Sequence, residues 1–273
     1  MIDKGRLADL VADFALPVPS TVIALMLGVP EADYDFFQTQ SQATLDLSIP
    51  IEESQAAHAT LSAYLSDLAD RREREPGEDV ISQLLADRVA TGELKRKHLV
   101  DIAQSLLVAG HETTSTMIGL GTLTLLRHPD QLAVVRDSDD PQVVARAVEE
   151  LLRYLTIAEN AVTRVARKDI TIGGQLVRAG EGLVFSIPAG NRDTALDSDI
   201  NGFDIDRTAR GHLAFGHGVH QCLGQNLAWV ELQIALPTLL RRLPGLRLAV
   251  PFEEVSFRKA NVVYGLERLP VTW

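Results

Sequence analysis

The feature that most constrains the fold is a long helical stretch over about residues 96–128. Leu99, Ile102 and Leu106 lie along one side of it, at the spacing of a single helix face. At 1.5 Å per residue, a helix of this length is roughly 50 Å long and would cross an entire domain. Over residues 105–121 the stretch is apolar nearly all round, which predicts a central helix that other elements bury.

Shorter helices are predicted on both sides of this central helix. Ser20 can cap the first of them, and Gly28 and Pro30 end it, because glycine takes the left-handed C-terminal conformation and proline cannot continue a helix. A second helix is predicted to begin near Ala57. Three more are predicted over about 79–88, 141–155 and 225–243. Pro237 should kink the last helix or end its regular first part.

The β portion of the chain is small. Residues 170–177 alternate apolar and polar side chains around a Gly-Gly pair, which is the pattern of a β-hairpin. A loop rich in glycine and aspartate follows to about Gly218, and residues 246–273 should form strands and turns. Because no linker divides the sequence, we expect residues 1–273 to form a single domain that is mainly α with a small β portion.

Composition excludes several kinds of partner. The formal net charge of −11 argues against nucleic acid, because phosphate binding needs a basic surface. The longest apolar run, about residues 22–29, is far shorter than the ~20 residues of a spanning helix, so we expect no membrane anchoring. The first residues do not have a basic segment followed by an apolar stretch. We therefore expect no signal peptide and a cytoplasmic protein.

The one cysteine, Cys222, lies in a glycine-punctuated loop just before the last predicted helix. The loop reads Phe-Gly-His-Gly-Val-His-Gln-Cys-Leu-Gly over residues 215–224. Such a loop can bring the sulfur close to a flat cofactor, its glycines let backbone amides point at the sulfur, and the helix N-terminus favours the thiolate. For the cysteine alone, a buried structural residue beside a turn is the favoured interpretation.

A second polar segment lies inside the central helix, at residues 109–114. Small Ala109 and Gly110 leave room for a cofactor or for oxygen, and Glu112 and Thr113 follow them. An acid and a hydroxyl in an apolar helix are costly unless they have partners, so they indicate a function. The alternative is that Thr113 bonds back to the carbonyl four residues earlier and that Glu112 reaches solvent.

Two zinc sites are weaker alternatives. His111 and Glu112 begin an H-E-x-x-H motif, but Ser115 stands where the second histidine is needed. The chain also has zinc-type ligands at His212, His217, His220 and Cys222. Their spacing does not form either of the usual paired zinc patterns.

Taken whole, the cysteine loop resembles the F-x-x-G-x-x-x-C-x-G haem loop of the cytochromes P-450. Every fixed position of that pattern is matched, by Phe215, Gly218, Cys222 and Gly224. Gly216 and His220 resemble the bacterial form of the loop. The complete pattern therefore reverses the preference for a structural cysteine.

Two further motifs occur in the order of that family. Glu150 and Arg153 resemble its E-x-x-R motif, and at this spacing the two side chains share one helix face and can pair. In the family this pairing is structural. Residues 109–114 resemble the A/G-G-x-D/E-T segment of the helix that bends over the haem.

The resemblance covers essentially the whole sequence and is closest to soluble actinobacterial members. Arg164 matches an arginine that holds a haem propionate, and residues 191–193 and 203–207 match the loop before the haem motif. Complete members carry several helices and most of one sheet before the equivalent of Leu7. The resemblance therefore implies a cytochrome P-450 fold that lacks its N-terminal helices and most of its first sheet.

The function implied by the resemblance is that of a haem-thiolate monooxygenase, which inserts one oxygen atom from O2 into a small hydrophobic substrate. Cys222 would be the metal ligand of haem b, and Glu112 and Thr113 would be the catalytic, proton-relaying residues. Ferredoxin and ferredoxin reductase would supply electrons.

The resemblance also implies the remaining contacts of the site. His220 and Arg164 would pair with the haem propionates, and Phe215 would pack near the sulfur. The other predicted cofactor-binding residues are Gly216, Ala109, Gly110, Leu223 and Gly224. Substrate would lie between the central helix and residues 157–161 and 262–264.

Two alternatives remain open. Because the front portion of complete members is absent, the chain could be a truncated, non-catalytic remnant that binds haem weakly. Residues 207–230 carry no Asp or Glu, and could form a positive surface for an acidic ferredoxin or simply a solvated loop. The cationic candidates in that stretch are Arg207, Arg210, His212, His217 and His220.

Overall fold

The computed structural model describes residues 1–2, 5–158, 163–195, 199–207, 209, 211–258 and 261–273. Its helices are α1 (Pro17–Leu27), α2 (Tyr34–Leu45), α3 (Ile51–Arg74), α4 (Val80–Leu84), α5 (Arg96–Leu126), α6 (Pro129–Asp137), α7 (Pro141–Leu155), α8 (Ile187–Asn191) and α9 (Gln225–Arg242). Its strands are β1 (Leu7–Asp9), β2 (Thr163–Val165), β3 (Ile170–Ile172), β4 (Gln175–Val177), β5 (Gly182–Val184), β6 (Arg247–Leu248) and β7 (Pro270–Thr272). The predicted fold class, mainly α with a small β portion, is confirmed.

Helix α5 is the predicted central helix, and it packs against α1, α3, α7 and α9. From Thr114 to Leu125 every residue is buried. The prediction that burial all round begins at residue 105 is wrong, because Ser105 and Ala109 are exposed. With Ile102, which is 37% exposed, they form one exposed strip along the first half of the helix. No element of the described part of the chain covers this side.

Two apolar cores flank α5, and the helix contributes to both. One core lies between α1, α3 and the first half of α5, around Leu65 and Leu99. The other joins the second half of α5 to α7, α9 and β7, around Leu125 and Leu151. Because one helix belongs to both cores, the arrangement agrees with a single domain, although residues 1–273 as one domain stays a prediction.

Acidic caps start two of the helices. The Asp79 carboxylate accepts a hydrogen bond of 2.9 Å from the Ser82 amide at the start of α4. The Asp140 carboxylate accepts one of 2.9 Å from the Gln142 amide at the start of α7. Each cap satisfies a backbone donor that has no partner inside its helix, which fixes the predicted starts of these helices.

The first helix ends as predicted but begins earlier. Gly28, with a φ of 74°, adopts the left-handed conformation that ends α1. The prediction that Ser20 caps this helix is wrong, because proline is well suited to the first turn and the helix begins at Pro17. Ser20 therefore lies inside the helix, where its hydroxyl donates to the Leu16 carbonyl over 2.7 Å.

The strands form three small antiparallel sheets. β1, β7 and β6 make the largest, in which the start of the chain pairs with its tail. β3 and β4 form the predicted hairpin, and β2 pairs with β5. None of the helices in the described ranges has the length and apolarity that crossing a bilayer requires.

Two elements differ from the sequence prediction. The stretch expected to be loop up to about residue 218 contains β5 and the short helix α8. Helix α9 does not end at Pro237 but continues to Arg242. The proline is buried where α9 packs against α6 and α7. This packing keeps the chain helical beyond Pro237, although proline has no amide hydrogen to donate within the helix.

Candidate functional site

A backbone hydrogen bond closes the cysteine loop. The Cys222 amide donates to the Phe215 carbonyl over 2.8 Å. Gly216 and Gly218, with φ angles of 71° and 76°, take the left-handed conformation, which side chains larger than hydrogen disfavour. The glycine spacing of the motif is therefore what lets the chain turn back on itself before α9.

The closed loop presents its thiol and its apolar side chains outward. Cys222 is exposed, and Val219 and Leu223 are 97% and 85% exposed. A Cβ added at Gly218 or Gly224 would have no atom within 4 Å, so open space lies beside both glycines. Large apolar side chains exposed on one loop are consistent with a surface that binds a partner.

The base of the loop is fixed by packing and by an amide side chain. The Phe215 ring lies edge-on to the Trp229 ring of α9, with centroids 5.6 Å apart. Asn191 of α8 accepts a hydrogen bond from the Leu213 amide over 2.6 Å and donates to the Thr156 hydroxyl over 2.8 Å. The chain segment that leads into the cysteine loop is thus held by hydrogen bonds at the C-terminal ends of α7 and α8.

The predicted pairing of Glu150 and Arg153 is confirmed. Arg153 donates through Nε and Nη2 to the two Glu150 carboxylate oxygens, each over 2.7 Å, and both side chains are buried. The guanidinium also donates to three backbone carbonyls, those of Asn191, Ile200 and Gly202. A buried pair with these extra partners anchors the chain that leads into the cysteine loop.

The polar segment of α5 combines both interpretations of its sequence. The Thr113 hydroxyl donates to the Ala109 carbonyl over 2.7 Å, as in the back-bonding alternative. Glu112 does not reach solvent, since it is only 1% exposed and pairs with Arg258 of the tail. A Cβ at Gly110 would lie 3.1 Å from the Ile23 side chain, so the space that Gly110 leaves faces α1.

The two predicted propionate partners lie on the surface. Arg164, at the centre of β2, is exposed and donates to the Thr163 carbonyl over 2.7 Å. His220 is exposed at the end of a short 3₁₀ turn, Gly218–His220. Both side chains are accessible to an acidic ligand, and their role stays a prediction.

The zinc alternative has no support in the geometry. In the ranges that the structure describes, no three His, Cys, Asp or Glu side chains lie close enough to share a metal ion. His212 has other partners: its Nε2 lies 3.2 Å from a Glu149 carboxylate oxygen, and its Nδ1 accepts from the Ala214 amide over 3.2 Å.

Comparison with known proteins decides the family. The model of the cytochrome P-450 family matches residues 50–245. The chain is a cytochrome P-450. Pentalenic acid synthase of Streptomyces avermitilis is 50% identical over 270 residues, which are 99% of this chain and 66% of that protein. Vitamin D3 dihydroxylase of Streptomyces griseolus is 48% identical over 273 residues, 100% of this chain and 66% of that protein.

Solved structures agree with this assignment. The crystal structure of CYP105P1 in complex with filipin I matches with a TM-score of 0.95 and 45% identity, over 100% of this chain and 68% of that one. The crystal structure of GfsF matches with a TM-score of 0.93 and 48% identity, over 100% and 69%. This cytochrome P-450 chain thus spans about two thirds of the length of the relatives it matches. The predicted family and fold are confirmed.

The residues of this cytochrome P-450 fit haem b, the predicted cofactor and that of the family. The donor is a single exposed thiol, Cys222, which suits a haem iron. Val219 and Leu223 present apolar surface beside it. Exposed Arg164 and His220 carry N–H donors that propionates can accept from, and Arg164 adds its positive charge.

The positive surface predicted over residues 207–230 is smaller than expected. The side chains of Arg207 and His212 are only 7% and 5% exposed, because they turn inward toward Glu150 and Glu149. Of the other candidates, His217 and His220 are exposed. Arg210 lies outside the described residues.

Sequence reasoning did not single out Glu231 of α9 or Arg258 of the tail. Glu231 is 7% exposed, and neither of its carboxylate oxygens has a hydrogen-bond partner of regular geometry among the described residues. Burial raises the pKa of Glu231 to about 7, and the Thr114 hydroxyl opposes part of this shift. The sequence does contain a signal for Glu231, because this carboxylate lies among the apolar residues of the last helix, next to Leu232 and one turn before Ala235.

Proposed function

We propose that this chain is the haem-binding part of a haem-thiolate monooxygenase that inserts one atom of O2 into a small hydrophobic substrate. The observation that carries the proposal is the exposed Cys222 thiol at the head of a closed glycine loop. In a cytochrome P-450 chain with one cysteine, no other thiolate can serve the iron.

Cys222 would hold the haem iron from the loop side. The thiol lies just before the N-terminus of α9. When bound, the haem supplies oxygen activation, which electron donation from the thiolate favours. Arg164 and His220 would orient the propionates, and Val219 and Leu223 would exclude water from the sulfur.

Glu112 and Thr113 would deliver protons on the α5 side. Thr113 uses its hydrogen for the Ala109 carbonyl, which leaves the oxygen lone pairs able to accept from a water beside the exposed strip. Glu112 binds Arg258 through Oε1, while its Oε2 has no hydrogen-bond partner in the described residues. That second oxygen can hold a proton until the water takes it.

Apolar side chains support a hydrophobic substrate. Ile102 belongs to the exposed strip of α5, and Val262 and Tyr264 of the tail are 41% and 39% exposed. The Tyr264 amide donates to the Ile157 carbonyl over 3.1 Å, so the two predicted substrate segments adjoin. Residues 159–161 of the first segment lie outside the described residues. A relative named vitamin D3 dihydroxylase is consistent with an apolar substrate.

The electrons would come from a ferredoxin and its reductase, as the resemblance to soluble bacterial members implies. The exposed imidazoles of His217 and His220, on the loop that carries the thiolate, would contribute to the docking surface.

The proposal is tested by following the oxygen atom. The haem-loaded chain is incubated with a bacterial ferredoxin, its reductase, NADPH, ¹⁸O2 and a panel of apolar compounds that includes vitamin D3, and products are weighed by mass spectrometry. We expect hydroxylated product with one ¹⁸O atom. A fully haem-loaded chain that consumes electrons without product, or product labelled only from H2¹⁸O, would contradict the proposal.

A further inference from the structure

The ring of His111, next to Glu112 on α5, has a defined hydrogen position. His111 is 2% exposed, and its Nδ1 lies 2.9 Å from the Leu107 carbonyl oxygen. A carbonyl oxygen only accepts, so Nδ1 carries the hydrogen. In the neutral ring, Nε2 is then a bare acceptor.

That bare acceptor faces a second acceptor. Nε2 of His111 lies 3.7 Å from Oε2 of Glu112, and neither atom has a hydrogen-bond partner in the described part of the chain. Two lone pairs held this close repel unless a proton or a water lies between them. Since Arg258 binds the other oxygen, Oε1, a proton arriving from the ring would go to Oε2.

We propose that His111 supplies protons to Glu112. In the transfer, the imidazolium gives its Nε2 proton to Oε2, the carboxylate becomes a carboxylic acid, and the ring returns to the neutral form with its hydrogen on Nδ1. The proposal rests on the proposed monooxygenase function, in which Glu112 passes the proton on. His111 acts through Glu112 and is therefore a positioning residue.

A small cavity lies beside His111. Its volume is about 10 Å³, close to what one water needs. Its lining includes His111 of α5, Ser20 of α1 and the half-exposed Tyr34 and Gln38 of α2. A water there can bring a proton from solvent to the ring.

The charges around the ring suit a proton donor. Burial lowers the pKa of His111, the hydrogen bond to the Leu107 carbonyl and the charge of Glu112 oppose this effect, and the charge of Arg258 adds to it. On the other packed elements, α2 contributes Tyr34 and α1 has no titratable residue. The ring is therefore neutral at rest and, once protonated, a good acid toward Glu112.

The tautomer and the coupling are tested by NMR on the full chain with ¹⁵N-labelled histidine, in its haem-bound, reduced, carbon monoxide-bound form. His111→Gln assigns the signal, and His98→Gln, at an exposed site on the same helix, is the matched control. We expect the Nδ1–H tautomer near neutral pH. The pKa of His111 should fall in Glu112→Gln and rise in Arg258→Gln, while the ¹⁵N signals of His98 stay the same in both variants. An Nε2–H tautomer, or a His111 pKa that neither substitution moves, would overturn the proposal.

The second readout is the pH profile of turnover. His111→Gln should slow product formation by roughly 10²-fold and remove the ionisation that belongs to His111 from the profile, while His98→Gln keeps both. An unchanged rate and profile in His111→Gln would also overturn the proposal. The NMR measurement needs no turnover, so failure of the monooxygenase proposal would be seen separately.

Discussion

At the scale of a single residue, the Thr113 hydroxyl can form hydrogen bonds to two partners. Its hydrogen satisfies the Ala109 carbonyl, and its oxygen remains able to accept from water. Because Ala109 is exposed, that water can stand on the side of the helix where the predicted cofactor and substrate lie. The back-bond therefore orients the hydroxyl and does not exclude the predicted role.

Replacing Thr113 should separate electron use from product formation. Thr113→Ala is expected to leave haem binding intact but to lower the product formed per NADPH by roughly 10²-fold, with peroxide in its place, since a positioned proton path contributes about this much. Thr113→Ser keeps the hydroxyl and is the control. Product and peroxide are measured against NADPH consumed. The same product yield in the alanine and serine variants would contradict the role.

Glu231 should make the stability of the protein depend on pH. Burial raises the pKa of Glu231 to about 7, from 4.5, so the folded chain holds this proton more tightly than the unfolded chain does. The stabilisation is fully present below about pH 4.5 and is lost as pH rises through about 7. The full shift corresponds to about 3 kcal/mol, which partial hydration of the carboxyl reduces to on the order of 1–2 kcal/mol.

The measurement is a urea titration of the wild type and of Glu231→Gln at pH 5 and at pH 8. The free energy of unfolding of the wild type should fall between the two pH values by more than that of the glutamine variant, which cannot ionise. Parallel pH dependence in the two proteins would show that Glu231 does not titrate in this range.

At the scale of elements, the Glu150–Arg153 pair joins α7 to α8 and to the loop before the cysteine. Arg153→Ala would remove both short hydrogen bonds to the buried Glu150 carboxylate, which keeps the 3.4 Å contact with Arg207, and would remove the Arg153 donors from three carbonyls. We expect a loss of about 3–5 kcal/mol in the free energy of unfolding. Arg136→Ala, which breaks the exposed pair with Asp137, is the matched control and should change little. Equal losses in the two variants, measured by urea unfolding, would refute the anchoring role.

The helices with strong local signals were predictable from the sequence. The apolar spacing and the limits of α5 and α7, and the turn at Gly28, were fixed by residues close to each other in the chain. Ser20 and Pro237 were misjudged because tertiary packing and the proline at position 17 outweighed the local preference of each residue. The helix α8 is too short for periodicity to show it.

At the scale of the whole molecule, the site was predictable as far as its motifs reach. The cysteine loop and the polar segment of α5 were found by their residue patterns, and the Arg258–Glu112 contact was not, because 146 positions separate its partners. Burial of Arg207 and His212 was missed for the same reason, since their acidic partners, Glu150 and Glu149, lie on α7. The exposed strip of α5 could not be foreseen, because apolar residues alone do not reveal which face remains uncovered.

The exposed apolar surface connects the cofactor to the stability of the molecule. Val219, Leu223 and the exposed strip of α5 leave apolar area in water, and covering such area stabilises by about 25 cal/mol per Å². A ligand that binds only the folded chain adds its binding free energy to stability. Haem bound at Cys222 would therefore both complete the site and protect the fold.

The most direct test of the account is the spectrum of the reduced chain with carbon monoxide. We expect the red-shifted Soret band of a thiolate-bound haem, its loss in Cys222→Ser, and its retention in Gln221→Ser, a matched change at an exposed position of the same loop. Because the chain has one cysteine, no other residue can replace the thiolate. A red-shifted band that persists in Cys222→Ser, or a wild-type chain with one bound haem and no such band, would contradict the account.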